Sequence, residues 1–423
     1  MRVLKPPVNP ARSVVQGLLA VVILLVGLQW VKNHFFDEPN PASPPPARVQ
    51  SPARIPAVPE ADARFAYAGD EACRACHPDH VNSFHQTAHH LTSRPPNQPA
   101  IAGDFSAGLN RLDTTNQNLH FEMQAATNGF FQTSLLRSTP TQIDRRSERF
   151  DLVVGSGRKG QSYLFWQGDR LYQLPVSYWT ELGEWISSPG TEDGTIHFDR
   201  EIVPRCLECH LSSFASLAPP DNRFNPASLG LGISCEKCHG PSREHIAQIS
   251  KQPAPSSPPA AAVVNPARLS RNRQLDICAL CHAGLGVQRA PSLSFVPGDV
   301  LGQYLDVTNP QPDDYVDVHA GQVQLLKRSR CFQSSPALSC STCHDVHKPQ
   351  RDVAELASRC LTCHQVESCG TFQKQGHEID RKCVDCHMPL QPSVNKVTAS
   401  GGRSLHPKVR NHRIGIYPPA KVP

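Results

Sequence analysis

The first apolar segment along the chain is a continuous run near the N-terminus. Residues 14–31 read VVQGLLAVVILLVGLQWV, and three basic residues precede the run. A stretch of about 18 apolar residues is near the lower limit for a helix that spans a bilayer. Because no small-residue cleavage site follows, the pattern favours an uncleaved signal anchor over a removed signal peptide. It predicts a cytoplasmic N-terminus over 1–12 and a single transmembrane helix over 13–31, with the body outside the cytoplasmic membrane.

A polar, proline-rich segment follows the apolar run. Residues 39–59 read PNPASPPPARVQSPARIPAVP and show no apolar periodicity. Proline accounts for 40 of the 423 residues, roughly twice its usual share. We therefore predict an extended tether over 32–66, which precedes the body of the protein over 67–423.

Alternation of apolar and polar residues is concentrated between residues 101 and 200. Three stretches there, LHFEMQ, GFFQTSLLR and SYLFWQGDRLYQLPVSYW, show the alternation that is typical of β-strands. Gln167, Gly168 and Asp169 interrupt the third stretch as a hairpin turn would. We predict a β-rich insert over 101–200, which contains no cysteine.

A glycine-rich motif lies inside this predicted insert. In VVGSGRKGQS, Gly155, Gly157 and Gly160 have the G-x-G-x-x-G spacing of dinucleotide-binding loops. Such a loop must open a helix within a β-α-β unit, whereas another strand pattern follows here. We therefore interpret the motif as a β-turn and predict no nucleotide ligand.

Fourteen of the sixteen cysteines occur in one repeated pattern, C-x-x-C-H. Two thiols separated by two residues can reach the two vinyl groups of one haem, and the histidine that follows becomes the proximal iron ligand. The seven units, numbered one to seven along the chain, predict about seven covalently bound haems c. Their attachment cysteines are Cys73, Cys76, Cys206, Cys209, Cys235, Cys238, Cys278, Cys281, Cys340, Cys343, Cys360, Cys363, Cys383 and Cys386. Their proximal histidines are His77, His210, His239, His282, His344, His364 and His387.

Two other interpretations of the cysteine pattern are weaker. Zinc knuckles use cysteine pairs two at a time, whereas the number of units is odd. Thioredoxin-like redox pairs need no histidine directly after them, whereas every unit has one. The propionates of seven haems would also bind many of the lysines and arginines. The formal net charge of +5 therefore gives no argument for a nucleic-acid partner, and we predict none.

The distribution of the units predicts the fold class. One unit falls within 67–100, and six crowd into 201–415. Haems at this density would supply much of the core, so regular secondary structure should be sparse. We predict a mainly α and irregular multihaem cytochrome c domain with little regular secondary structure. The β-rich insert and the single N-terminal transmembrane helix complete this predicted class.

A six-coordinate haem iron needs a second ligand on its distal face. Thirteen of the twenty histidines lie outside the units, whereas methionine occurs only three times, and Met388 directly follows a proximal histidine. Methionine ligation, which raises the reduction potential, is therefore nearly excluded. We predict mostly bis-histidine, low-potential haems.

Several stretches, among them CRACHPDHVNSFHQTAHH, IVPRCLECH, SCEKCHGPSREH, SCSTCHDVHKP and RNHRI, resemble the cytochrome c-554 family of multihaem cytochromes. The resemblance covers most of residues 67–415 and is specific at the haem units, although that family has four units rather than seven. It implies distal ligands at five positions, to which we add His319 as a sixth candidate. The five positions are His89, His245, His347, His377 and His412.

Other histidines compete for the same roles. His85 and His90 lie beside His89 in the sequence, and His406 lies near His412. Three further histidines are weaker candidates: His80, His120 and His197.

The fifth unit raises a question of geometry, because in CSTCHDVHKP a second histidine, His347, follows the proximal His344 by three residues. His347 lies on the attachment side of that haem and cannot reach its distal face. We predict that His347 ligates a neighbouring haem and thereby bridges two haems.

Two cysteines, Cys331 and Cys369, lie outside every unit. In an oxidising compartment a disulfide between them is favoured. Two free thiols, or a soft ligand to an open haem, remain the alternatives.

We interpret the chain as a membrane-anchored electron carrier rather than a catalyst. A row of six-coordinate haems needs no substrate pocket and can pass electrons by tunnelling. Its partners would be redox proteins or a membrane quinol-linked donor, with the anchor in the cytoplasmic membrane and the haem domain in the periplasm. One alternative is an oxidoreductase of small nitrogen or sulfur compounds at a five-coordinate haem, because six distal candidates serve seven haems. Direct quinol oxidation by this chain is a third interpretation.

Overall fold

The α-helices and strands of the protein are short and numerous. The computed structural model describes residues 67–250, 263–307, 316–317, 321–394 and 398–417. The α-helices in these ranges are α1 (Asp70–Arg74), α2 (Pro78–Phe84), α3 (Pro204–Glu208), α4 (Glu236–His239), α5 (Arg243–Ile249), α6 (Arg271–His282), α7 (Gln322–Lys327), α8 (Arg330–Ser334), α9 (Cys340–Cys343), α10 (Val353–Ser358), α11 (Phe372–Gln375) and α12 (Cys383–His387). The strands are β1 (Ser93–Arg94), β2 (Arg111–Asp113), β3 (Leu119–Ala126), β4 (Gly129–Thr139), β5 (Gln142–Arg149), β6 (Leu152–Val154), β7 (Gly160–Gln167), β8 (Arg170–Gln173), β9 (Val176–Trp179), β10 (Glu184–Ser187), β11 (Arg200–Glu201), β12 (Leu211–Ser213), β13 (Gly230–Leu231), β14 (Val287–Gln288), β15 (Leu305–Asp306), β16 (Leu390–Pro392), β17 (Thr398–Ser400), β18 (Arg403–Leu405) and β19 (Lys408–Arg410).

Two antiparallel sheets dominate the chain between the first and second C-x-x-C-H units. Strands β2 to β5 form a four-stranded sheet in sequence order, and β1 and β6 to β11 form a seven-stranded sheet. Leu119, Phe121 and Met123 alternate along β3 and are buried in one cluster with Tyr163 and Phe165 of β7. The cluster therefore packs strands of the two sheets against each other, as alternating apolar residues do.

A second apolar cluster connects the seven-stranded sheet to the second unit. Leu152, Leu164 and Leu171 come from the sheet and pack with Leu207, which lies inside the unit, and with Leu211, which follows it. Burial of each leucine side chain stabilises the fold by about 2 kcal/mol. This packing holds α3, and with it the second unit, against the sheet.

The structure is richer in β-strands than the sequence predicted. In addition to the two large sheets, the described residues contain four two-stranded sheets, which pair β12 with β13, β14 with β15, β16 with β19 and β17 with β18. Most of these strands are two or three residues long, too short to show an alternating pattern in the sequence. The predicted class, mainly α and irregular with little regular secondary structure, is therefore wrong, and the fold is β-rich.

The predicted transmembrane helix is corrected as well. No α-helix in the ranges given above is long and apolar enough to cross a bilayer. The apolar run over 13–31, on which that prediction depended, lies outside the described residues, as does the predicted tether. The part of the fold that the structure describes therefore contains no membrane span.

The glycine-rich motif forms a hairpin turn, as we interpreted it. Its first two glycines lie between β6 and β7, which pair antiparallel, and Gly155 has a φ of 104°. A Cβ atom at Gly155 would lie 2.7 Å from the carbonyl oxygen of Gly160, so this turn requires glycine. The hairpin predicted around Gly168 is also present, because Gln167 pairs with Arg170 across it.

A buried carboxylate joins the start of the described chain to the third unit. Glu236 is 2% exposed. Its oxygens accept hydrogen bonds from the backbone N–H groups of Ala68 at 2.9 Å and Gly69 at 2.8 Å. They also accept from the backbone N–H of Ser242 at 2.9 Å and from its hydroxyl at 2.6 Å. The negative charge is thus fully hydrogen-bonded, as a buried carboxylate must be.

We predict that Glu236→Ala destabilises the haem-loaded protein by about 3 kcal/mol, because it leaves buried N–H groups without an acceptor. Chemical denaturation measures this change in the free energy of unfolding. Glu244→Ala is the matched control, since Glu244 is exposed on the adjacent α5 and accepts a solvent-exposed hydrogen bond from Gln248. An equal loss of stability in both variants would contradict the role of Glu236.

Asp70 forms a second link between the first and third units. Its Oδ1 accepts a hydrogen bond from the backbone N–H of Cys235 at 2.9 Å, and its Oδ2 lies 3.1 Å from His85 Nε2. Burial raises the pKa of Asp70. The rings of His90 and His85 and the N–H of Cys235 outweigh burial and lower this pKa to about 2. The folded protein therefore favours the ionised carboxylate.

This pKa predicts a loss of stability in acid. A carboxyl group whose pKa is lower in the folded state stabilises the fold above its unfolded pKa, near 3.8. That stabilisation, at most about 2 kcal/mol, disappears as the pH falls from about 4 to about 2. Unfolding free energies of the wild type and Asp70→Asn should therefore differ at pH 6 and converge toward pH 2. A difference that is constant with pH would contradict the assignment.

Candidate haem-binding site

A single helical turn arranges the side chains of the C-x-x-C-H units. In the first, third, fifth and sixth units the backbone N–H of the histidine donates to the carbonyl of the first cysteine, at 2.8–3.0 Å. The first cysteine and the histidine, four residues apart, therefore lie on the same face, with the second cysteine beside them. This geometry fits the attachment of one haem across each turn.

Thiol contacts bring units that are distant in sequence together. The thiols of Cys73 in the first unit and Cys235 in the third are close enough for each to shift the pKa of the other. The same contact joins the second unit to the fourth, and the fourth to the fifth; the pairs are Cys209 with Cys281 and Cys278 with Cys340.

The last three units are also neighbours. Cys343 of the fifth unit lies close enough to Cys363 of the sixth for their charges to interact, and Cys360 of the sixth interacts in the same way with Cys383 of the seventh. The C-terminal units thus adjoin one another in sequence order.

Three proximal histidines each face a histidine that the sequence predicted as a distal ligand. The ring centres are 6.1 Å apart for His282 and His89, 6.0 Å for His239 and His347, and 6.4 Å for His344 and His412. Two imidazoles on opposite faces of one metal ion, with bonds of about 2 Å, have ring centres roughly 6 Å apart. The spacing of all three pairs therefore fits an iron between the rings.

Hydrogen bonds at Nδ1 orient several of these rings. His239 Nδ1 lies 2.9 Å from the carbonyl oxygen of Val264, and His387 Nδ1 lies 2.7 Å from that of Gly415. His412 Nδ1 lies 3.1 Å from the carbonyl oxygen of its neighbour Arg410. A carbonyl fixes the proton on Nδ1, which leaves the Nε2 lone pair for a metal.

Burial favours the neutral form of four of the paired imidazoles. It lowers the pKa of His89, His344 and His412, and together with the neighbouring histidines it lowers the pKa of His282 to about 4. The rings are therefore uncharged at neutral pH. A neutral imidazole is the form that binds a metal.

The structure separates His89 from its competitors. His85 and His90 stack on each other, with ring centres 3.8 Å apart, rather than on a proximal histidine. Both nitrogens of His85 have partners, Asp70 at 3.1 Å and Arg74 at 3.4 Å. His85 is therefore engaged in a polar network beside the first unit.

His406, the competitor of His412, is also engaged. Its Nδ1 lies 2.8 Å from the carbonyl oxygen of Ser393, and its Nε2 lies 3.2 Å from the hydroxyl of Ser404. No lone pair is left for an iron unless one of these bonds breaks.

The other predicted distal ligands lie in different surroundings or outside the described residues. His377 is 69% exposed and lies 3.3 Å from Asp380. His245 is half-buried on α5, and His319 lies outside the described residues. These three remain predictions.

One histidine has a contact that the sequence argument undervalued. His80 follows the first unit by three residues, the same spacing as His347 after the fifth, and the two rings lie 5.3 Å apart. The repeated C-x-x-C-H-x-x-H pattern was the signal that could have identified it. His80 and His347 therefore lie next to each other beside the third unit, since His347 also faces His239.

Cys331 and Cys369 are free thiols in the structure, so the favoured disulfide is not formed. Cys331 lies among Cys343 and Cys360, whereas Cys369 lies near Cys383 and within 3.3 Å of the Thr371 hydroxyl. The two thiols thus adjoin different haem units.

Part of the chain is similar to a known protein family. The family described as cytochrome c554 and c-prime matches residues 186–240, which include the second and third units. No curated protein matches the chain significantly.

Two solved structures are similar to this chain. The outer cell wall cytochrome OcwA is 18% identical with a TM-score of 0.49, and the match covers 80% of this chain and 79% of that one. An undecaheme cytochrome from the S-layer of Carboxydothermus ferrireducens is 16% identical with a TM-score of 0.35, covering 73% of this chain and 44% of that one.

The predicted localisation is corrected. We expected a single-pass protein of the cytoplasmic membrane with its haem domain in the periplasm. The described residues contain no helix that could cross a bilayer. We therefore withdraw the membrane-anchored localisation.

The repeated attachment units, the imidazole pairs and the family match lead to the same conclusion. We identify this chain as a multihaem c-type cytochrome, and its residues 186–240 resemble the cytochrome c554 family.

Proposed function

We propose that this cytochrome carries electrons between redox partner proteins through seven haems c, most of them ligated by two histidines. The observation that carries the proposal is the set of three imidazole pairs at 6.0–6.4 Å. Each pair combines the histidine of a C-x-x-C-H unit with one predicted as a distal ligand. Iron closed on both faces leaves no open site for a substrate and suits electron transfer.

The pairs support an assignment of distal ligands to particular haems. His89, from the segment after the first unit, would ligate the fourth haem, because it faces His282. His347 would ligate the third haem, and His412, near the C-terminus, would ligate the fifth. On this assignment His347 serves an iron other than that of its own unit, and the segment 340–347 bridges the third and fifth haems.

The contacts between units support an order for electron transfer. The first unit contacts the third, and the His239–His347 pair joins the third to the fifth. The thiol of Cys278 in the fourth unit is close enough to Cys238 in the third unit for electrostatic interaction. It also lies beside Cys340 in the fifth unit. We propose a row of the first, third, fourth, fifth, sixth and seventh haems, which the second haem joins at the fourth. Close packing lets electrons move along such a row by tunnelling.

The proposed count and ligation predict two properties of the haem-loaded protein. The haem content per chain should be seven, and electron paramagnetic resonance of the oxidised protein should contain only low-spin ferric signals. A content well below seven would refute the count. A high-spin signal in the unmodified protein would instead favour the alternative, a five-coordinate haem that acts on small nitrogen or sulfur compounds.

His347→Ala should convert one haem in seven from low-spin to high-spin, because it opens the distal face of the third haem. The spin state is read by electron paramagnetic resonance. His406→Ala is the matched control and should remain low-spin, because both ring nitrogens of His406 are already hydrogen-bonded. The assignment fails if His347→Ala stays low-spin or if the control produces the high-spin haem.

A further inference from the structure

A buried ion pair lies at the second C-x-x-C-H unit, between the residue that precedes the unit and a residue inside it. Arg205 and Glu208 are 5% and 4% exposed, and Arg205 Nη1 donates to Glu208 Oε2 at 2.8 Å. The other carboxylate oxygen accepts a hydrogen bond from the backbone N–H of Leu293 at 2.6 Å. Transfer of two charges from water to a protein interior carries a large desolvation cost, so the pair is an expensive way to stabilise a fold.

The guanidinium of Arg205 is fixed against the fourth unit. It donates to three backbone carbonyls in and directly after α6, the helix that carries that unit. These are the carbonyls of Leu280 at 2.6 Å, Gly284 at 3.0 Å and Leu285 at 3.0 Å. Carbonyl groups at a helix C-terminus lack partners within the helix, so a cation is favoured there. The positive charge is therefore held at one position between the two units.

The same guanidinium touches an attachment sulfur. Arg205 Nη1 lies 3.2 Å from Cys209 Sγ, and Cys209 in turn contacts Cys281 of the fourth unit. The ion pair thus lies beside the sulfur atoms that would bind the second and fourth haems.

We propose that the Arg205–Glu208 pair sets the reduction potentials of the second and fourth haems and thereby controls electron exchange where the second haem joins the row. The inference rests on the proposed haem order. A buried charge acts through a low effective dielectric, so it shifts a nearby potential far more than a charge on the surface does. Arg205 favours the reduced haem, which has one positive charge fewer, and Glu208 offsets it. Both act as tuning residues that touch neither the iron nor a substrate.

The test compares substitutions that change the charge of the pair in opposite directions. Glu208→Gln keeps the shape of the side chain and an acceptor for Leu293, but it leaves Arg205 without its counter-charge. Spectroelectrochemical titration should then show two of the seven haems at higher potential, with the other five unchanged. Arg205→Gln should move the same two haems to lower potential, and Arg205→Lys, which keeps the charge, should stay near the wild type.

An exposed ion pair supplies the control. Arg170 and Glu201 lie 3.0 Å apart, but their side chains are 46% and 49% exposed. Glu201→Gln should therefore leave all seven potentials unchanged. If Arg205→Gln fails to assemble, the direction of the shift in Glu208→Gln still decides the question.

Two results would overturn the proposal: no shift in Glu208→Gln, or an equal shift of all seven haems. Failure of the underlying haem assignment would appear separately, in the wild-type haem content and spin state. If the protein has seven low-spin haems and Glu208→Gln leaves their reduction potentials unchanged, only the tuning role is refuted.

Discussion

Each C-x-x-C-H unit supplies ligands to one side of a haem only, so the opposite side must be closed by another part of the chain. The histidine and the first cysteine lie one helical turn apart, and no residue of that turn can reach round the macrocycle. The histidine pairs of this protein have the separation that follows from this constraint. His89 faces His282, and His344 faces His412. Long-range contacts between short helices are therefore what the fold must organise.

The apolar core is unevenly distributed because of the same constraint. Among the described residues, the largest apolar cluster lies in the sheets, and the others lie at the second unit, around α6 and around α8. Buried polar groups perform much of the joining between units. Glu236 accepts from backbone N–H groups just before the first unit, Asp70 accepts from one in the third unit, and Arg205 donates to a carbonyl of the fourth. Such bonds are directional, so they fix the distance and angle between units more tightly than apolar contact does.

Spacing along the chain indicates the attachment units, and the resemblance to the cytochrome c-554 family indicates three distal candidates that the structure places opposite proximal histidines. His89, His347 and His412 each belong to a local motif, and the alternation in residues 119–126 is long enough to identify a strand. Pairing was not predictable, since nothing local to His89 indicates that it faces His282. The same reason explains why Arg205 and Glu208 were missed. In the letters RCLECH they look like ordinary surface charges, and only tertiary packing buries them.

The β-rich part illustrates how an insertion can lie between haem units without separating them. Residues shortly before this part of the chain contact the second unit, which follows it. The hydroxyl of Thr92, before β1, lies 2.9 Å from Nδ1 of His210, and the hydroxyl of Ser93 donates to the His210 carbonyl at 2.7 Å. If Thr92 accepts the Nδ1 proton, Nε2 of His210 is left for the second iron. Ser93 belongs to β1, which pairs antiparallel with β6. The sheet that lies between the first and second units therefore also holds His210 in position.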